Sequence, residues 1–198
     1  MHEFPTTLGL PFFAVGEDTD SETRVVARLR AGDLTALGET YDAHHTHVRA
    51  FARRLVGDDS AAEDLVQDTF IALVQSIARF RGDAPLRTFL LSIAANHARH
   101  HVRAAVRRRA ALGRLATEPS NDDRSPESKT AVRQLAAELT AALDELPIDQ
   151  RVAIVLCEVE ERTAAEAAQI AGAPEATMRT RVFHAKRKLR ETLQRRRA

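Results

Sequence analysis

Apolar positions recur at three- and four-residue steps along most of the chain and nowhere alternate at two, so the pattern predicts helices and no strands. Val25, Val26 and Leu29 mark a first helix that stops at Gly32. Leu34, Leu37, Tyr41, Val48, Phe51, Ala52 and Leu55 mark a second, stopped by Gly57. A third runs through Leu65, Val66, Phe70, Leu73, Val74 and Ile77, with Ser60 and Glu63 ahead of it at capping-box spacing. Its opposite face carries Asp64, Gln67, Asp68 and Ile71. After Arg81-Gly82-Asp83-Ala84 a fourth helix buries Leu86, Phe89, Leu90 and Ile93, with Asp83 as its expected cap and Pro85 in its first turn. Gly113 to Ser128 has no period and is rich in Pro, Ser, Asn and Asp, the composition of a linker. Beyond it, Leu135, Leu139 and Leu143 define a helix ended by Leu146-Pro147, and Ile148, Val152, Val155, Leu156 and Val159 define the next. Residues 1–20 have no helical period and read as a disordered tail. The expected architecture is all-α: two small helical domains, 21–112 and 129–198, joined by a flexible linker over 113–128.

The last helices carry the most specific local signal. Thr163 and Glu166 have capping-box spacing, Gly172 suits a left-handed helix end, and Pro174 suits the start of another helix. On that last helix Met178, Val182, Ala185, Leu189 and Leu193 form one buried stripe. Thr180, Phe183, Arg187 and Arg190 project away from it, flanked by Arg179, His184 and Lys186. A compact helix pair that aims a basic face outward has the build of a helix-turn-helix major-groove reader. The bland alternative is a solvated basic helix, but the turn chemistry, the small first helix and the basic second one agree with each other.

Charge sharpens this picture. The formal net charge of the 198 residues is +1, yet it is strongly segregated. Residues 1–78 and 115–178 are acidic, whereas 79–114 and 179–198 each carry 9 basic groups against 1 acidic. Two basic blocks imply two contacts with a polyanion. The acidic stretches require another partner, or only solvent. In the first basic block Asn96, Arg99, His100, Arg103 and Arg107 share a helix face, mixing phosphate-binding arginines with groups suited to exposed bases. Asp64 and Asp68 stand one turn apart, a mildly repulsive arrangement that a cationic partner would relieve.

Composition excludes several classes. The single Cys157 lies in an apolar run and reads as a core thiol, which rules out an internal disulfide or a Cys-rich zinc site. His97 and His101 are at i, i+4, but Arg99 and Arg103 would repel a cation, so no metal or other cofactor is expected. No Gly-rich phosphate loop and no catalytic constellation is evident, and an enzyme acting on nucleic acid is correspondingly disfavoured. No apolar run is long enough to span a bilayer, and Leu8 to Val15 is short, interrupted by Pro11 and without a basic flank, so a cytoplasmic location is expected.

Three segments together resemble the extracytoplasmic-function (ECF) sigma factors of the bacterial sigma-70 family: AAEDLVQDTFIAL (61–73), FRGDAPLRTFLLSIAANHAR (80–99) and ALDELPIDQRVAIVLCEVEERTAAEAAQIAGAPEATMRTRVFHAKRKLR (142–190). The resemblance implies a non-enzymatic initiation factor that binds core RNA polymerase through the β′ clamp helices and the β flap, recognises and melts promoter DNA, and answers to an anti-sigma factor. Asp64, Gln67, Asp68 and Phe70 would contact polymerase. Phe80, Asp83, Asn96, Arg99, His100 and Arg103 would handle the minus-ten element, and Arg179, Thr180, Arg181, Phe183, His184, Lys186 and Arg187 the minus-thirty-five element. Phe89, Val74, Ala176 and His184 depart from the residues common in the family, and three histidines crowd the melting helix, departures that bear on which promoter is read. A stand-alone helix-turn-helix regulator would use the C-terminal domain only, and would leave the first basic block and the acidic third helix without a task.

Overall fold

A computed structural model describes residues 19–112 and 131–197. The tail (but for Thr19 and Asp20), the linker over 113–128 and the side chain of Leu135 lie outside the described residues. Among those described there are only helices. The N-terminal half holds α1 (Thr19–Arg30), α2 (Leu34–Val56), α3 (Asp59–Ser76) and α4 (Leu86–Leu112), with one 3-10 turn at Ile77–Arg79. The C-terminal half holds α5 (Ala131–Asp144), α6 (Ile148–Ile154), which runs on as a π-helical turn over Val155–Val159, then α7 (Ala164–Ala171) and α8 (Glu175–Arg197).

In the N-terminal half, α2, α3 and α4 pack on one another around Val48, Phe51, Leu55, Leu65, Val66, Leu73, Leu86, Leu90 and Leu91, all essentially inaccessible to water. Each side chain of this kind contributes about 1.5–3 kcal/mol by leaving water. Gly57 closes α2 with φ +76, and a Cβ there would stand 2.5 Å from the Asp144 carboxylate oxygens of the other half. Only glycine meets both demands, the left-handed turn and the close approach.

Two expected caps are replaced. The Ser60–Glu63 box does not form, because Asp58 comes first after Gly57 and its carboxylate accepts from Ala61 N at 2.8 Å. Glu63 pairs with Arg49 instead. At α4 the free Leu86 N–H donates at 2.9 Å to Glu22 of α1, a partner 64 residues away, and not to Asp83. A long-range carboxylate satisfies that donor as well as a local one would. The Thr163–Glu166 box on α7 forms in both directions, and Gly172 is left-handed at φ +60.

Against the expected core, Leu34, Tyr41 and Val74 are exposed. They stand together with Leu37, Phe70 and Ile71 around a surface groove of about 590 Å³. Leu139 and Val159 are likewise exposed and border a second groove of about 580 Å³ with Leu143, Leu189 and Leu193.

Candidate nucleic-acid interface

The C-terminal helix pair is built as its sequence pattern requires. The capping box starts α7, Gly172 turns the chain, and Met178 and Ala185 bury the inner side of α8 completely. Arg179, Thr180, Phe183, Lys186 and Arg187 then face solvent, and Phe183 is 64% exposed. The ring of Phe183 stands among the basic side chains of this face and not in the core. Arg179 and Arg187 pair only within their own helix, Arg179 donating to Glu175 one turn back and Arg187 lying 3.9 Å from Glu191. Lys186 pairs with Glu158 at 2.8 Å. His184 is half-buried and packs edge-on against Phe183 at 5.5 Å. Arg181 is half-buried and turns inward.

The α4 face differs. Asn96, His100, Arg103 and Arg107 are exposed, but Arg99 is buried at 8%. Its Nε donates to Asp149 Oδ1 at 2.9 Å, one terminal nitrogen donates to Asn96 Oδ1 at 2.8 Å, and the other to the Ala171 carbonyl at 3.1 Å. Ala171 is the last residue of α7, where helix carbonyls lack intrahelical partners and the dipole is negative, so a guanidinium is well placed there. Phe80 is buried, its ring 5.2 Å from that of Phe89 and its carbonyl accepting from Arg30. Asp83 is exposed in the turn before α4.

On α3, Asp64, Gln67 and Asp68 are exposed, with Asp68 3.8 Å from His97 Nδ1. Phe70 is not on that surface: it is 6% exposed and packs against Tyr41 at 4.9 Å. Ile71 extends the acidic face into the groove around Leu34 and Val74.

Sequence reasoning missed the carboxylates that join the halves. Asp149, in the first turn of α6, also lies 3.6 Å from Arg103 and 3.8 Å from Arg181. Glu160, its side chain 4% exposed, reaches His47 at 2.8 Å, Arg54 at 3.4 Å and Arg87 at 3.5 Å. Burial pushes its carboxyl up, but the His47 hydrogen bond and the charges of His47, Arg54 and Arg87 outweigh that and hold it below the ordinary carboxylate range. Arg151, 4% exposed, bonds the Leu55 carbonyl of the other half, the Asp144 carboxylate at 2.7 Å and the Asp144 carbonyl at 2.8 Å. The only advance signal was the charge segregation itself, which asked for a partner to the acidic stretches without naming one.

A capped helix pair with an outward basic face, beside a second helical unit that carries its own polar and basic stripe, is the build of a helical DNA-binding factor. Comparison with known proteins agrees. Residues 40–108 match the Sigma-70 region 2 family and residues 136–189 the Sigma-70 region 4 family. The chain is 32% identical to the ECF RNA polymerase sigma factor SigE of Mycolicibacterium smegmatis, over 89% of this chain and 70% of that one. It is 31% identical to the RNA polymerase sigma factor CarQ of Myxococcus xanthus, over 84% and 94%. Among solved structures, the sigma factor RpoE of Bartonella quintana, crystallised with the anti-sigma factor NepR, superposes with a TM-score of 0.61 at 26% identity, over 79% of this chain and 96% of that one. The chain belongs to the ECF sigma factors of the sigma-70 family. It is an alternative sigma factor, which binds core RNA polymerase and directs it to promoters. Among the described residues no helix is long and apolar enough to cross a membrane.

Proposed function

We propose that the chain carries out this task with three separate surfaces and no catalysis of its own, in the cytoplasm where polymerase and template meet. The observation that carries the reading is the exposed face of α8, where Arg179, Thr180, Phe183, Lys186 and Arg187 stand free of the core on a capped helix pair. That face reads the minus-thirty-five element in the major groove, with His184 at its edge and Arg181 available on rearrangement. The α4 stripe of Asn96, Arg99, His100 and Arg103, with Asp83 at its head and the Phe80 ring as its packing support, handles the melted minus-ten strand. Asp64, Gln67 and Asp68, with Ile71 and Val74 beside them, dock on the β′ clamp helices; the buried Phe70 shapes that surface from beneath. The groove of Leu139, Leu143 and Val159 takes the β flap. The two units are domains spanning 21–112 and 129–198 with 113–128 as spacer. The likeness to a sigma factor crystallised with its anti-sigma factor supports control by such a partner here.

Run-off transcription from a genomic fragment library, with purified core polymerase, tests the reading. The expected result is a small set of start sites sharing two upstream elements and absent with core alone. Start sites identical to those of core alone contradict it. In the same assay Asp64→Lys with Asp68→Lys removes transcription and core co-purification while helix content is kept; undiminished co-purification contradicts the polymerase assignment.

A further inference from the structure

The groove on the N-terminal half is uncovered among the described residues. Leu34, Leu37 and Tyr41 of α2 stand across from Phe70, Ile71 and Val74 of α3, around about 590 Å³, and Leu34, Ile71 and Val74 are exposed. Asp42 is the one charged residue in its lining. A continuous apolar surface of this kind marks a docking site. The chain itself carries a segment that matches it. Leu8 to Gly16 holds Leu8, Leu10, Phe12, Phe13 and Val15 with no charged residue, between Glu3 and Glu17. Pro11 keeps this segment from serving as the interior of a helix.

We propose that Leu8–Phe13 of this same chain lies as an extended strip in the α2–α3 groove of the free protein, and leaves it when core polymerase docks on α3. The length of chain ahead of α1 suits this. Leu34 follows directly on the α1 turn, so a strip that starts from Thr19 must run back along α1, a 12-residue helix about 18 Å long. Phe13 is 6 residues before Thr19, a stretch that reaches about 20 Å when extended. Phe13 therefore arrives at the Leu34 end, and Leu8 to Phe12 fall along the groove. From Leu34 to Tyr41 the groove follows roughly 10 Å of α2, the span of Leu10 to Phe13 in an extended chain. In that form Leu8, Leu10 and Phe12 point to one side, a row of apolar groups for an apolar floor. Ile71 and Val74 belong both to the groove and to the surface assigned to polymerase, so the strip and polymerase exclude each other. A chain that is uncovered about one-tenth of the time binds core on the order of tenfold more weakly than a bare one. This inference rests on the assignment of the α3 face to the β′ clamp helices and adds to it the segment that covers that face beforehand.

The groove carries its own probe. The chain has no Trp and one Tyr, and that Tyr41 lines the groove, so tyrosine fluorescence reports on the groove alone. Full-length wild type is compared with full-length Leu10→Asp with Phe12→Asp, and with a control, Glu3→Gln with Glu17→Gln, which changes the tail and spares the strip. Acrylamide quenching of Tyr41 is measured over a range of protein concentrations, and affinity is measured on immobilised core polymerase. The expected result is stronger quenching in the first variant at every concentration, with on the order of tenfold tighter core binding, and wild-type values in the control. Quenching that is the same in wild type and the first variant overturns the strip. Protection that grows with protein concentration assigns the groove to a second copy of the chain and overturns it as well. Stronger quenching with unchanged core affinity overturns the exchange with polymerase. Failure of the strip is distinct from failure of the polymerase assignment, because the Tyr41 measurement contains no polymerase and the Asp64→Lys with Asp68→Lys co-purification does not depend on the tail.

Discussion

The faces of α4 and α8 are written in the same language, arginines three and four residues apart on a helix with an apolar back, yet they stand differently in the fold. On α8 the basic face is open: Arg179 and Arg187 pair only with neighbours on their own helix, and Arg181 alone of the predicted reading arginines turns inward, to Asp149. On α4 the central arginine is withdrawn into the contact with the other half, while Asn96, His100 and Arg103 around it stay wet. The difference is not in the helices but in what packs over them. A helical face is fixed by residues within one turn of each other, whereas its occlusion depends on a carboxylate 50 residues on in sequence. Periodicity reports the first and is blind to the second.

The largest expected effect separates scaffold from reader. Arg151→Ala removes a buried guanidinium whose charged hydrogen bonds tie Leu55 and Asp144 together, and should cost about 3 kcal/mol in thermal or urea unfolding. A variant as stable as wild type would mean that the halves do not depend on this bond. Arg99→Ala loses three hydrogen bonds from a charged donor to the other half and to Asn96, and should cost about 2 kcal/mol of stability as well as strand binding. Arg187→Ala should leave stability unchanged and weaken promoter binding by about 1–3 kcal/mol, at one base pair if it reads a base and at all sequences alike if it holds a phosphate. Equal stability losses at the two arginines would erase the distinction between the faces. Thr163→Ala, which breaks the capping box beneath both α8 and the Ala171 carbonyl, should cost about 1 kcal/mol, measured by the same unfolding curves.

The mildest effect is on pH dependence. Glu160 is held below its ordinary value, so its contribution is fully present above the ordinary carboxylate range and is lost as pH falls through the lowered one. The contact between the halves should therefore persist through the ordinary carboxylate range and loosen only at lower pH, read as an increase in radius of gyration. Glu160→Gln should flatten that acid limb, and an unaltered limb would assign it to other carboxylates.

Much of this was legible in the residues. The helix order, the Thr163–Glu166 box, the Gly57 and Gly172 ends and the buried stripe through Met178 and Ala185 are local features, set by spacing and capping chemistry, and the structure has them as the pattern demands. The departures are non-local. Glu22 rather than Asp83 satisfies the start of α4, because proximity in the fold replaces proximity in the chain. Val74 and Leu34 are apolar but exposed, since the periodic stripe tells which side of a helix is greasy and not whether another helix covers it. Phe80 and Phe70 belong to the core although the family resemblance put them on functional surfaces, and the burial of Arg99 had no signal within its own helix.

The most direct measurement of the account is a distance between the halves. Spin labels at Thr46 on α2 and Gln194 on α8, both exposed, are introduced with Cys157, the chain's single cysteine, replaced by Ser. The free chain should give one narrow, short distance, that of the halves joined through Asp149, Arg151 and Glu160. In the complex with core polymerase and promoter DNA the distance should lengthen by tens of ångströms, up to the roughly 50 Å that a 16-residue spacer spans when extended. The same distance in the free chain and in the promoter complex would contradict the account, because the two units would then act in one fixed arrangement and could not engage separate elements through an extended spacer.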